Sequence, residues 1–107
     1  MPVMICGDLN SLPDSGVLEF LLNSRLSSAH TDFGQHDYSR YLNQRTLQHS
    51  LRLASPYPTS LPFTNYTETF KGVIDYILFT SGSLLPLSVL SPVDPVRIHI
   101  CDYLSLF

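Results

Sequence analysis

The sequence predicts one small domain of the mixed α/β (α+β) class, and three stretches carry that reading. "GVIDYILFT" (72–80) is β-branched and aromatic, with Gly72 at one end and Ser81-Gly82 after the other, the signature of a strand. "PVMIC" (2–6) is a short unbroken apolar run, of the kind found in a strand covered on both faces. Between them, Val17, Leu18, Leu21 and Leu22 recur at helical spacing and form a core-facing stripe. The chain has 107 residues, enough for one domain but not two; 44% are apolar, with six Phe and six Tyr, so a packed core is expected rather than disorder.

The elements follow in order. Cys6, inside the first strand, reads as a small core residue. Gly7 then frees the backbone for a turn. Asp14 or Ser15 can cap the helix, and Asn23 and Ser24 can end it. At about nine residues the helix depends on packing more than propensity. Residues 24–49 are polar and mixed, hold three of the four His, and read as an exposed insertion with a short helix. "SLRLAS" (50–55) alternates with period two as an edge strand would. "PYPTSLP" is proline punctuation, and "PFTNYTETFKG" (62–72) reads as strand or extended loop. Along 72–80, alternation sets Val73, Asp75, Ile77 and Phe79 on one face and Ile74, Tyr76 and Leu78 on the other. "LLPLSVLSPV" (84–93) is expected to be an edge strand weakened by Pro86, and "DPVRIHICDYLSLF" (94–107) to end in a strand.

Charge and targeting signals narrow the function classes. Six Lys and Arg face nine Asp and Glu, a net charge of −3 with no basic stripe. That argues against a simple nucleic-acid-binding module. It argues less against a nuclease, because a carboxylate site is itself acidic and its cations reverse the local field. Cys6 and Cys101 are too few for a disulfide framework and read as reduced thiols of an intracellular protein. "MPVMICGDLN" has no charged signal region, and no run approaches bilayer length. The chain begins almost at once with a strand and closes without a polar tail, which reads as a piece of something longer.

The chemistry-bearing residues start with Asp75, an acid expected mid-strand among apolar neighbours. Strands disfavour Asp, and burying an unpaired carboxylate costs several kcal/mol, so a partner or a cation is needed. The plainer reading is an acid at a strand end tied to a loop. Asp8 and Asn10 follow the first strand, and Asp-x-Asn there is either Asx-turn chemistry or half of a metal site. Two strands each delivering a carboxylate, with an amide beside one, make a set of hard oxygen ligands suited to magnesium. Phe70, in a polar stretch, is a core plug or a platform on which a base stacks. Asn65 is a turn former or a phosphate contact; its match to a glycosylation acceptor is idle without a secretion signal. The four His lack metal-like spacing and read as surface or loop residues.

"GDLNSLPDSGV" (7–17) together with "PFTNYTETFKGVIDYILFT" (62–80) resembles the C-terminal part of the carbon-catabolite-repressor type deadenylases, poly(A)-specific 3′ exonucleases of the endonuclease/exonuclease/phosphatase superfamily. The likeness runs in order through most of the chain, including "VLSPVDP" (89–95). The first block is shared with phosphatase and repair-endonuclease cousins; the second favours deadenylases. The resemblance implies a partial four-layer α/β sandwich lacking its N-terminal half, with residues 1–107 as the C-terminal part of one catalytic domain. It implies hydrolysis of the terminal phosphodiester with Mg2+. Asp8 would orient water near the metal, Asn10 would hold the scissile phosphate, and Asp75 would orient a catalytic His. Phe70 would stack on the adenine of the substrate, and Asn65, on its own reading a phosphate contact, is the further candidate for substrate binding.

Two departures temper that picture. The family's principal metal-binding Glu belongs to the N-terminal half. Its closing Ser-Asp-His motif corresponds either to "CDYLSLF", with Asp102 kept and Tyr103 in place of the His, or to a loop outside the sequence. Tyr, with a usual pKa near 10, is a poor cationic partner for phosphate. The expectation is therefore a fragment of a magnesium-dependent 3′ exoribonuclease that shortens mRNA poly(A) tails, inactive as an isolated chain. The alternative is a non-catalytic remnant that binds RNA or a partner subunit. Expected partners are poly(A) RNA and other subunits of a deadenylase complex, with no membrane and no DNA. The expected compartment is the cytoplasm, with the nucleus second.

Overall fold

The computed structural model describes residues 1–57, 61–92, 94 and 104–105. Among these described residues, eight short strands, one helix and two 3-10 turns make a sheet-rich α/β structure. Its backbone is an antiparallel sheet of order β1-β7-β4, formed by β1 (Met4–Asp8), β7 (Asp75–Thr80) and β4 (Leu53–Ala54). β7, the most β-prone stretch of the sequence, takes the centre, where both its edges are bonded. Leu78 is 0% exposed and Phe79 8%.

The helix α1 (Gly16–Asn23) begins at Ser15, whose hydroxyl accepts from the Leu18 N–H, and ends where Ser24 turns left-handed. Leu18 is buried (1% exposed), and Leu21 and Leu22 are half-buried. Val17, expected in the stripe, is 44% exposed. The helix lies against β4 and against β2 (Arg25–Ser27), so its apolar face is turned toward Leu18 rather than Val17.

The first strand departs from expectation. β1 is the outer strand of its sheet, with Met4 62% exposed and Cys6 exposed as the free thiol of that face. An apolar run shows only that polar alternation is missing; it does not show which face is covered. The 24–49 stretch is more ordered than its composition implies. β2 pairs with β3 (Thr46–Gln48), Leu26 is buried, and 3-10 turns form at Thr31–Phe33 and Ser39–Tyr41. Residues 84–92 form no strand, and Leu85, Leu87 and Leu90 are largely exposed. Pro86 and Pro92 offer no N–H to a ladder.

A third element completes the frame. "PFTNYTETFKG" folds into a hairpin of β5 (Asn65–Tyr66) and β6 (Lys71–Gly72), and β8 (Leu104–Ser105) pairs with β5 on its other edge. The hairpin runs directly into β7 through Val73 and Ile74, both buried. Asp102, Tyr103, Cys101 and His99 lie outside the described residues.

Candidate active site

The ladder between β1 and β7 runs Met4↔Phe79, Ile5↔Leu78, Cys6↔Ile77, Gly7↔Tyr76 and Asp8↔Asp75. Asp8 and Asp75 are therefore directly opposed, and residues so paired point to the same face of the sheet. Two like charges in that position repel, so the pairing costs stability unless something positive joins it. Asp8 is exposed; Asp75 is 9% exposed. Asp75 is the first residue of β7 rather than a mid-strand residue, because the ladder stops where the hairpin takes over.

Each acid is held through its backbone. Gly7, with φ 151°, precedes Asp8 in a conformation that other residues adopt only under strain. The Leu9 N–H then donates to the Ile74 carbonyl at 2.8 Å, carrying the pairing one step past the strands. Across from it, the buried Thr64 hydroxyl oxygen accepts from the N–H groups of both Ile74 and Asp75, each at 3.0 Å. Among the described residues, nothing donates to the Asp75 carboxylate itself.

Asn10 completes an Asx turn: its N–H donates to an Asp8 carboxylate oxygen at 2.7 Å. Its φ of 46° is left-handed, a region Asn tolerates better than most residues. So the turn reading and the site reading of Asp-x-Asn coincide, since the turn orders the acid and leaves the Asn10 side chain exposed beside it. The following loop is anchored by Tyr76, whose hydroxyl lies 2.7 Å from the Ser11 carbonyl and 2.9 Å from that of Val73. Burial pushes the Tyr76 hydroxyl up to about 12, and the charges of Asp14 and Asp75 push the same way. The phenol stays a neutral donor throughout the physiological range.

The hairpin brings the last two candidates to this end. Asn65 is directly opposed to Gly72, and a Cβ on Gly72 would lie 2.8 Å from the Phe70 ring and 3.1 Å from Leu12. Asn65 and the Phe70 ring thus share one face of the hairpin, with Leu12 of the Asn10 loop against it. Phe70 is 37% exposed, so it does not plug the core. The opposite face holds the aromatic pair Phe63 and Tyr66, with the Lys71 ammonium 4.9 Å and 5.3 Å from their ring centres. Below the sheet end lies an apolar cavity of about 270 Å3 whose walls include Leu18, Phe63, Val73, Asp75 and Tyr76.

The donor set suits a hard cation. Two opposed carboxylates, one without a hydrogen-bond donor among the described residues, and a nearby amide match the protein share of a magnesium site, where waters and phosphate oxygens supply the rest. Among the described residues, no group of three or more His, Cys, Asp or Glu gathers to hold a metal. The set is therefore partial. Two His side chains belong to the frame: His49 lies 2.9 Å from the Phe20 carbonyl and accepts from the Leu51 N–H, and His30 accepts from the Asp32 N–H. Sequence reasoning missed Thr64, Tyr76, Leu12 and Gly72. Of these, a glycine inside a β-rich motif was the one readable signal.

The Endonuclease/Exonuclease/phosphatase family matches residues 1–103. The chain is 46% identical over 96 residues to the "CCR4-Not complex 3′-5′-exoribonuclease subunit Ccr4" of Mycosarcoma maydis, covering 88% of this chain and 14% of that protein. It is 44% identical over 108 residues to the subunit of the same name in Schizosaccharomyces pombe, covering 98% of this chain and 14% of the relative. With the "CCR4-NOT transcription complex subunit 6-like" of Danio rerio it shares 42% identity over 106 residues, 88% of this chain and 19% of that one. The chain is thus a short portion, between a seventh and a fifth, of the lengths of these relatives. Among solved structures, ANGEL2, described as a 2′,3′-cyclic phosphatase, superimposes with a TM-score of 0.57 at 22% identity, over 76% of this chain and 34% of ANGEL2, a likeness of fold. No helix among the described residues is long and apolar enough to cross a membrane. The blocks that bear Asp8, Asn10, Asn65, Phe70 and Asp75 lie within the matched residues, and the chain belongs to the endonuclease/exonuclease/phosphatase family, as a short stretch similar to its Ccr4-type members.

Proposed function

We propose that this chain is part of the catalytic domain of a magnesium-dependent 3′ exoribonuclease that shortens poly(A) tails, and that it works as one subunit of a larger deadenylase complex. The observation that carries this reading is the direct opposition of Asp8 and Asp75 at the end of the β1/β7 ladder, where neither acid forms an ion pair among the described residues. Relatives named as exoribonuclease subunits of the CCR4-Not complex support the reaction class and the assembly.

Asp8 and Asp75 would hold the cation. When bound, magnesium neutralises phosphate charge and lowers the pKa of a coordinated water. In the reaction, water adds to the terminal phosphorus and the bond from phosphorus to the 3′ oxygen of the preceding nucleotide breaks. The products are adenosine 5′-monophosphate and an RNA shortened by one residue with a free 3′ hydroxyl. Asp8, exposed and oriented by its Asx turn, directs the attacking water and accepts its proton. The Asn10 amide donates to a non-bridging phosphate oxygen, which becomes more negative as the bond breaks. Asn65 holds the substrate backbone and Phe70 stacks on the adenine. The other ligands and the cationic partner come from outside the described residues, so the isolated chain binds substrate without turning it over.

A graft tests this. Residues 1–80 replace the matching stretch of the Schizosaccharomyces pombe relative, and cleavage of oligo(A) is followed with Mg2+ present. Activity is expected, with Asp8→Ala and Asp75→Ala each lowering it by at least about a hundredfold. A folded graft that binds oligo(A) but does not cut it would favour the non-catalytic remnant. A graft whose activity ignores both substitutions would sink the reading.

A further inference from the structure

Phe70 is mounted more firmly than an exposed aromatic at a hairpin turn needs to be. Thr67 grips its backbone from both sides: the Thr67 N–H donates to the Phe70 carbonyl at 2.7 Å, and the Thr67 hydroxyl oxygen accepts from the Phe70 N–H at 3.0 Å. The ring then folds back over β6, where Gly72 stands. Gly72 does not adopt a left-handed φ, so its backbone makes no demand for glycine. The demand is spatial, because a Cβ there would come within 2.8 Å of the Phe70 ring tip and 3.1 Å of a Leu12 methyl. A glycine within a strand weakens it, and the usual reason for keeping one is a close approach by another group. Here that group is the ring. Leu12, 44% exposed, reaches the same spot from the loop that carries Asn10.

We infer that Gly72 and Leu12 are positioning residues for Phe70, seating its ring in advance as a platform for the terminal base of an RNA. This deepens the reading of Phe70 given above and rests on it. A seated ring loses no rotamer freedom when a base arrives, so the affinity from stacking is realised in full. Because Leu12 belongs to the Asp8–Asn10 loop, the same contact ties the base platform to the phosphate end of the site. A base and its own phosphate are thereby registered against each other.

The test uses the whole 107-residue chain and an oligo(A) whose 3′-terminal base is 2-aminopurine. Stacking on an aromatic ring quenches that fluorophore, while anisotropy of a 5′ dye reports binding. Phe70→Ala should weaken binding about tenfold and abolish the quench; Phe70→Trp should keep both. Gly72→Ala and Leu12→Ala should each weaken binding by about threefold or more and lower the quench. Added to Phe70→Ala, neither should weaken binding further, since both act through the ring. Losses that add to that of Phe70→Ala, or an unchanged quench in Gly72→Ala and Leu12→Ala, would overturn the inference. Wild-type binding by Phe70→Ala would instead overturn the stacking reading itself, and this inference with it. Should Gly72→Ala fail to fold, the Leu12→Ala cycle decides alone, since Leu12 lies outside every strand.

Discussion

Two polar regions of this molecule look alike in composition and behave oppositely. In residues 24–51, each of several polar side chains has local work. Asp32 accepts from the Gly16 N–H at 2.7 Å and so caps α1, and Asp37 accepts from the Ser39 N–H, which holds its carboxyl below the usual carboxylate range. His49 bridges the helix and the entry to β4. At the β1/β7 end, nothing among the described residues donates to the Asp75 carboxylate, which faces Asp8. Polar residues that satisfy a neighbouring backbone group explain themselves by stability. A nearly buried acid set against another acid does not, and that is the ground for the proposal that a cation binds there.

The contrast breaks first at Thr64, a residue of the acidic end whose job is structural. Its hydroxyl oxygen accepts from two amides in a buried setting. Thr64→Val keeps the shape and strands both N–H groups, each costing about 1–3 kcal/mol. The expected loss is about 3 kcal/mol by urea unfolding, while Thr64→Ser should recover most of it. A loss under 1 kcal/mol would mean that the start of β7 is held by other means.

His49 sharpens the other side. With Nε2 toward the Phe20 carbonyl and Nδ1 accepting from Leu51, the bonding calls for the neutral ring protonated on Nε2, and its edge meets the Phe20 ring at 4.7 Å. His49→Ala should cost about 2 kcal/mol from two hydrogen bonds and one aromatic contact, and should leave oligo(A) affinity unchanged once the protein is folded. If affinity fell with stability intact, the insertion would belong to the site.

Legibility followed how local each cause is. Asp75 stood out because an acid inside an apolar run is unfavourable without help, a fact visible in nine residues of sequence. The helix bounds were readable because Ser15 and Ser24 act within a few residues of themselves. Phe70 was singled out by a family likeness, while the residues alone left both Phe70 and Asn65 with two meanings. Tyr76 could not be read, since its partner at Ser11 is 65 residues away. β2 and β3 escaped notice because three-residue strands are too short for a period to show. Cys6 was misplaced for a related reason: the run around it indicates a strand, but only the sheet order places that strand at an edge.

The smallest effect bears most directly on the contrast. In buffer with a chelator, Asp75→Asn removes one charge from the opposed pair while keeping the size of the side chain. Like charges directly across a ladder destabilise by about 0.2–1 kcal/mol, so the variant should be more stable than wild type by that amount. Adding Mg2+ should reverse the order. A ligand that binds only the folded state raises stability in proportion to the logarithm of its concentration over Kd, and the variant, with one carboxylate gone, should gain less. Thermal unfolding of both proteins across a magnesium series gives two curves that cross. If Asp75→Asn is instead the less stable protein in chelator, Asp75 has a structural partner, and the acidic end would be explained in the same way as the insertion.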